Sequence, residues 1–158
     1  MKLTTMIRTT VAIVGISTIA TAPIASAAAY PVTGKLGSEL TMTDSVGQVV
    51  LGWKVSDLKS SADIPPDYPV AGQLWEATAT VNAISGPVTP AISQFNARTA
   101  DGVEYRVLWQ VAGPNTISGA TIPQGEQSSG KIYFDVTGPA PISVTMNNGM
   151  EDLLVWGP

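Results

Sequence analysis

The 158-residue chain contains no cysteine and no histidine, and these two absences exclude several classes of function. Without cysteine there is no disulfide and no thiolate nucleophile, and without histidine there is no Ser-His-Asp triad. The common zinc sites built from these residues are excluded as well. The sequence also lacks the glycine-rich loops that bind nucleotide phosphates. We therefore assign no catalytic, cofactor-binding or metal-binding residue and expect a protein that is not an enzyme.

Charged residues are also scarce, at 13% of the chain, and their balance is acidic. Two of the eight basic residues, Lys2 and Arg8, lie near the N-terminus, so six remain against twelve acidic residues, a net charge of about −6. Nucleic acids and anionic membrane surfaces are bound by clustered Lys and Arg. Because the sequence has no basic run, we expect neither as a partner.

The N-terminal segment has the three parts of a secretory signal peptide. A short basic region with Lys2 and Arg8 precedes an apolar stretch over residues 11–19, and small residues follow over 25–29. The apolar stretch is too short for a membrane-spanning helix, which needs about 20 apolar residues. The sequence leaves three cleavage positions open, after Ala27, Ala28 or Ala29.

Two parts of the chain are expected from this reading. Residues 1–28 form the signal peptide, and residues 29–158 form one secreted, extracellular domain with no stable membrane anchor. The alternative is an uncleaved N-terminal anchor.

Alternation of apolar and polar residues with period two predicts strands that each bury one face. The clearest alternating segments are residues 48–55, 75–83, 104–111 and 131–137, and shorter candidates are Glu39–Thr43 and residues 93–98, 141–146 and 153–156. Asp101-Gly102 and Asn148-Gly149 fall between such segments and are typical of hairpin turns. About seven or eight short strands favour an all-β antiparallel sandwich without a disulfide over the alternative, a closed barrel.

The longest irregular stretch and the tryptophans complete the expected fold. Residues 56–72 contain three prolines, and we expect this stretch to cross from one sheet to the other. Trp53, Trp75 and Trp109 fall on the apolar faces of alternating segments and are predicted to be core residues. Trp156, near the C-terminus, is the best candidate for an exposed aromatic that could stack on a sugar or a partner protein, although edge packing is the favoured interpretation.

Loop carboxylates provide the remaining candidates for chemistry. They are Asp57, Asp63, Asp67, Glu151 and Asp152. The favoured interpretation is that they are solvated side chains, and the rival is a glycoside hydrolase, which needs two carboxyl groups about 5–10 Å apart in a cleft. Near the second turn, four residues offer oxygen ligands for calcium, namely Asn147, Asn148, Glu151 and Asp152. Their spacing is not that of an EF-hand, and we favour a plain turn.

Several segments of the chain resemble one known family. They are AYPVTGKLGSEL (29–40), VGQVVLGWKVSDLKSS (46–61), WEATATVNAI (75–84), SQFNARTADG (93–102), SGATIPQGEQSSGKIYFDVTGP (118–139) and MNNGM (146–150). Nearly all of residues 29–158 is similar to the mycobacterial major secreted immunogenic protein family, the MPT-sixty-three-like antigens. This resemblance implies an immunoglobulin-like β-sandwich, secretion and recognition by host immunity, and it implies no catalytic residues.

Three functional hypotheses follow. The first is a secreted immunogenic protein whose non-enzymatic sandwich domain, a monomer, binds a host or cell-envelope protein. The second is a carboxylate-dependent hydrolase that acts on glycans, and the third is an antigen without any ligand. We favour the first over the second because no carboxylate pair has a diagnostic spacing, although the sequence does not separate the first from the third.

Overall fold

The computed structural model describes residues 29–63 and 68–158, and the expected signal peptide and Asp67 lie outside the described residues. Nine strands make up the described fold: β1 (Val32–Lys35), β2 (Glu39–Thr43), β3 (Val49–Ser60), β4 (Gln73–Ala83), β5 (Phe95–Arg98), β6 (Glu104–Arg106), β7 (Gln127–Val136), β8 (Ser143–Asn147) and β9 (Asp152–Gly157). A single 3₁₀ turn, Ile92–Gln94, precedes β5. No helix in this part of the chain has the length and apolar character needed to cross a membrane.

The strands form two sheets, which confirms the predicted all-β sandwich. The five-stranded sheet has the order β1-β9-β8-β5-β6, and the four-stranded sheet has the order β2-β3-β4-β7. All neighbouring strands are antiparallel except β1 and β9, which pair in parallel. The alternating segments of the sequence correspond to β3, β4 and β7, whose apolar sides face the space between the sheets.

Eight of the nine strands were predicted from the sequence, and the one that was missed is β1. Its four residues, VTGK, include a glycine and show no alternation, and its burial pattern has no fully buried position. The strand exists because it pairs with β9, from Val32 opposite Leu154 to Lys35 opposite Gly157. Long-range pairing of this kind leaves no local signal.

The predicted crossover between the sheets is wrong, because the connection between β3 and β4 joins two neighbouring strands of the four-stranded sheet. Strand β3 continues to Ser60 and pairs antiparallel with β4, with Ser60 opposite Trp75, so the chain returns within the same sheet. The register shifts between Ser56 and Lys59, where Asp57 has a φ of +56°. A bulge there accommodates an extra residue and bends the strand without ending it.

Three aromatic side chains fill the core between the sheets. Trp53 is 1% exposed and meets the ring of Phe95 edge-on at 5.0 Å. Phe95 also contacts Trp156, which is fully buried and donates its indole N–H to the carbonyl of Ser38 at 3.0 Å. Trp156 is therefore packed, as favoured from the sequence, although in the core between the sheets rather than at an edge. Trp156 lies two residues from buried Leu154 on β9, and this parity points both side chains inward.

The prediction that Trp109 is a core residue is wrong, because this tryptophan is 65% exposed. The predicted strand over 104–111 ends at Arg106, and the backbone N–H of Leu108 bonds to the carbonyl of Tyr133 on β7 at 2.8 Å. The chain thus leaves the five-stranded sheet for the edge of the other one. Leu108 is buried in a small satellite cluster with Leu74 and Tyr133, and the following turn points Trp109 outward. Trp75, the third predicted core tryptophan, is half-buried.

Candidate binding site

An ion-pair network covers part of the outer face of the four-stranded sheet. The ammonium of Lys131 on β7 contacts Asp63 Oδ2 at 2.8 Å and Glu76 Oε2 at 3.0 Å. The hydroxyl of Ser61 donates to Glu76, and the hydroxyl of Tyr133 donates to Asp63 Oδ2 at 2.6 Å. We call these five residues the Lys131 network; it ties the segment after β3 to strands β4 and β7.

Three groups of the Lys131 network, Asp63, Lys131 and Tyr133, have shifted pKa values. Hydrogen bonds from Lys131 and then from Tyr133 lower the pKa of Asp63 below its usual value of 3.8. Hydrogen bonds to Asp63 and Glu76 raise the pKa of Lys131. Burial, together with the hydrogen bond to Asp63, raises the pKa of the Tyr133 phenol to about 12. Each charged group has an opposite charge as a direct partner, which is the pattern of a structural network.

Asp152 shares the Arg98 guanidinium with Glu104, and among the other candidate carboxylates that the structure describes, only Asp63 lies next to another carboxylate. Its neighbour is Glu76, which the alternation of β4 places on the outward side and which is nevertheless only 9% exposed in its side chain. Asp57 is exposed on the β3 bulge, where it accepts a hydrogen bond from Ser56 at 2.8 Å. Asp152 belongs to the five-stranded sheet, and Glu151 is exposed in the preceding turn.

The oxygens proposed as calcium ligands are used within the turn between β8 and β9. Asn147 Oδ1 accepts the backbone N–H of Gly149 at 2.6 Å, and Asn148 Oδ1 accepts those of Met150 and Glu151 at 2.9 and 3.0 Å. Across residues 29–63 and 68–158, no group of three or more acidic side chains is placed to hold a metal ion. These bonds agree with the interpretation as a plain turn.

Arg98 links three strands on the outer face of the five-stranded sheet. Its Nε donates to Glu104 on β6 at 2.9 Å, across the hairpin turn that contains Asp101-Gly102. Its guanidinium also reaches Asp152 on β9 at 2.7 Å and therefore spans β8, which lies between β5 and β9. Asp152 in turn accepts a hydrogen bond from Asn147 at 3.0 Å.

A polar pocket of about 370 Å³ lies beside these ion pairs. We call it the Asn96 pocket, and its lining residues are Ser93, Gln94, Asn96, Glu104, Arg106, Asn147 and Gly149. The register of the sheet explains why residues of different strands meet here. Asn96 lies opposite Arg106 on β6 and opposite Thr145 on β8, so all three share one face of the sheet.

Several polar groups at the Asn96 pocket are uncommitted. The hydrogen bonds at its rim join Arg98 to Glu104 and Asn147 to Asp152, and within the described residues none uses the side chains of Gln94, Asn96 or Arg106. Thr145, opposite Asn96 on β8, does not line the pocket, and among the described residues its buried Oγ1 has no hydrogen-bond partner. Unpaired polar groups in a concave site are the ordinary means by which proteins orient a ligand.

A second pocket, of about 350 Å³, lies on the other side of the 3₁₀ turn. We call it the Trp109 pocket; its lining includes Pro90, Ile92, Ser93, Trp109, Val111 and Ile117. Ser93 lines both pockets, so the polar and the apolar cavity adjoin along the turn. Sequence reasoning missed this arrangement, because Asn96 looks like any outward residue between buried Phe95 and Ala97.

Comparison with known proteins places the chain in a family. Residues 31–156 match the model of a family described as "Domain of unknown function (DUF1942)". The chain belongs to this family. The match spans all nine strands of the sandwich, and the family description names no activity.

Curated relatives of this family member carry the name of an antigen. Immunogenic protein MPT63 of Mycobacterium tuberculosis is 79% identical to it over 160 aligned residues, which cover all of both chains. Immunogenic protein MPB63 of Mycobacterium bovis is similar to the same extent over the same coverage. The resemblance to the MPT-sixty-three-like antigens is thereby confirmed.

A solved structure shows the same fold. The 1.5 Å crystal structure of MPT63, described as a secreted protein from Mycobacterium tuberculosis, is 82% identical in sequence and has a TM-score of 0.78. It covers 83% of this chain and 100% of its own. The immunoglobulin-like sandwich without cysteine is therefore the fold of this family member.

Proposed function

We propose that this chain is an exported immunogenic protein whose monomeric domain binds a host or cell-envelope protein and catalyses no reaction. The observation that carries the proposal is the Asn96 pocket, whose polar side chains have no partner within the described residues and which adjoins the exposed Trp109. The names of the relatives, and the description of MPT63 as secreted, support export and immunogenicity.

The pairing of Asp63 with Glu76 is the strongest argument for the rival, a glycan hydrolase. These two carboxylates share the Lys131 ammonium, whose hydrogen bond to Asp63 stabilises the ionised form of that residue. A glycosidase of the usual kind needs one carboxyl group that is still protonated at the working pH, to protonate the leaving oxygen. The lowered pKa of Asp63 is the opposite of that requirement.

Titration of the carboxyl side chains by NMR tests the non-enzymatic part. We expect Asp63 to titrate below its usual value. A carboxyl with a clearly raised pKa beside a depressed one would overturn this part and favour the hydrolase.

Export is tested by mass spectrometry of the culture medium. The expected N-terminus of the exported protein is Ala28, Ala29 or Tyr30, because the small residues around these positions fit a signal peptidase site. Recovery of only the full-length chain, membrane-bound and beginning at Met1, would contradict export.

Binding is tested with the immobilised protein and separate extracts of host-cell surface proteins and cell-envelope proteins. We expect a retained partner that is lost when Arg106→Met and Trp109→Ala are combined. The control combines Lys54→Gln with Ile84→Ala, which removes an exposed cation and an exposed apolar side chain at the other sheet. Retention of nothing by the parent protein, or equal loss in the control, would contradict the proposal.

A further inference from the structure

We infer that the Asn96 pocket and the adjoining face of Trp109 bind a neutral sugar, the glycan part of the partner. This inference rests on the proposed binding function and specifies the chemistry that the site recognises. It depends on the balance of charge in the polar pocket, on its hydrogen-bonding groups and on the exposed indole beside it.

The charges at the Asn96 pocket cancel. Its lining contains one cation, Arg106, and one anion, Glu104, and the latter is paired with Arg98, which also contacts Asp152. Two guanidinium groups are thus balanced by two carboxylates. A phosphate, a sulfate or a strongly basic ligand would find no net opposite charge there, so the site favours a ligand without net charge.

The hydrogen-bonding groups fit the hydroxyls of a sugar. The amides of Asn96 and Gln94 each offer both a donor and an acceptor in one plane, and the guanidinium of Arg106 offers a fork of donors. Neighbouring hydroxyls of a sugar ring are themselves donors and acceptors, so a planar side chain can bond to two of them at once. The hydroxyl of Ser93, on the turn between the pockets, adds a further donor and acceptor.

Trp109 supplies the apolar contact that a sugar also requires. One face of a sugar ring presents C–H groups, which pack on the face of an indole, and the 65% exposure of Trp109 leaves its ring available for this contact. Each pocket, at about 370 and 350 Å³, lies near the lower end of the range for small-molecule sites. Because Ser93 lines both, two linked sugar rings could occupy the polar and the apolar cavity in turn.

A panel of immobilised oligosaccharides tests the inference directly. The neutral arm carries glucose, galactose, mannose, arabinose and N-acetylglucosamine oligomers, and the charged arm carries sialylated and sulfated ones. We expect the purified protein to bind a member of the neutral arm, with at least a tenfold loss for Trp109→Ala and for Arg106→Met. Trp109→Phe should restore most of the loss, and the matched controls Ile84→Ala and Lys54→Gln should bind like the parent.

NMR of the indole N–H groups adds a readout that a folding defect would not produce. The chain has four tryptophans, and the bound sugar should shift the indole signal that is missing in Trp109→Ala, while those of buried Trp53 and Trp156 stay in place. A bound sugar that leaves this signal unshifted would overturn the inference.

The outcomes separate this inference from the proposed function. If the protein retains a partner but binds no neutral sugar, or if enzymatic removal of glycans from that partner leaves retention unchanged, the site recognises protein surface and the inference is wrong. Binding confined to the charged arm also overturns it. If neither a partner nor a sugar is bound, both the inference and the proposed function fail.

Discussion

The outer faces of the two sheets hold similar side chains and use them differently. On the four-stranded sheet, Ser61, Asp63, Glu76, Lys131 and Tyr133 bond to one another. On the five-stranded sheet, Arg98 has comparable partners in Glu104 and Asp152, but the neighbouring Asn96 pocket contains polar groups that the described residues leave unbonded. The first face stabilises the fold, and the second is available to a ligand.

This difference separates polar groups that are bonded to one another from those that the proposed binding would use. Charged residues with shifted pKa values are often taken as signs of an active site. Here three of the four shifted groups, Asp63, Lys131 and Tyr133, belong to the Lys131 network. The fourth, Arg98, is paired with Glu104 and Asp152 and therefore serves structure as well. The candidate binding face is recognised by unpaired hydrogen-bonding groups in a concave surface.

The largest expected effect provides a scale for both faces. Trp53→Ala removes a ring that is 1% exposed between the sheets and should lower the free energy of unfolding by about 3–5 kcal/mol. Trp109→Ala should change it by about 0.5 kcal/mol or less, because surface side chains contribute little. Urea denaturation measures both. Equal losses in the two variants would mean that Trp109 is a core residue after all.

A matched pair of cation replacements compares the two faces directly. Lys131→Met leaves Glu76, which is 9% exposed in its side chain, without its closest cation, and should clearly lower the midpoint of urea unfolding. Arg106→Met removes an exposed cation and should shift the midpoint far less. If Arg106→Met destabilises the protein as much as Lys131→Met, the pocket is a structural feature and the contrast between the faces disappears.

The smallest expected effect is a pH dependence of the free energy of unfolding that comes from the Lys131 network on the four-stranded sheet. Because the pKa of Asp63 is lowered from 3.8, its contribution to stability is present above that pH and is lost as the pH falls through the folded-state pKa. Because the pKa of Lys131 is raised from 10.5, and that of Tyr133 from 10.0 to about 12, their contributions are present below pH 10 and are lost as the pH rises toward 12.

Urea unfolding across both pH ranges measures this dependence without screening the charges by salt. Asp63→Asn is the control for the acid limb and should be flatter there than the parent protein. If stability falls in the same way at acid pH in the parent protein and in Asp63→Asn, the titrating group is not Asp63.

Much of the fold could be predicted, because alternation reports which side of a strand is buried. Trp53 on β3 and the inward alanines of β4 were placed correctly for this reason. The same rule failed at Trp109, since Tyr105 and Val107 continue the alternation although the strand ends at Arg106 and the chain turns toward β7. Alternation describes side chains and contains no information on where a strand changes partner.

The candidate site could be predicted far less. Among the carboxylates expected in loops, Asp63 and Glu151 do lie outside the strands, whereas Asp57 lies in β3 and Asp152 in β9. Glu76 was overlooked because its burial depends on residues that reach it from beyond the end of β3. Asn96 and Arg106 come together through the pairing of β5 with β6. Both cases depend on which strands become neighbours, and no local pattern of residues specifies that.

The parallel pairing of β1 with β9 has a consequence for the order in which the strands of the five-stranded sheet pair during folding. Val32 lies opposite Leu154 and the N–H of Leu36 bonds to the carbonyl of Gly157, so the first described strand is anchored by the last. Contacts between such distant segments slow folding, because the chain loses much entropy before it gains them. Strand β1 therefore joins the five-stranded sheet only when β9, at the other end of the domain, is in place.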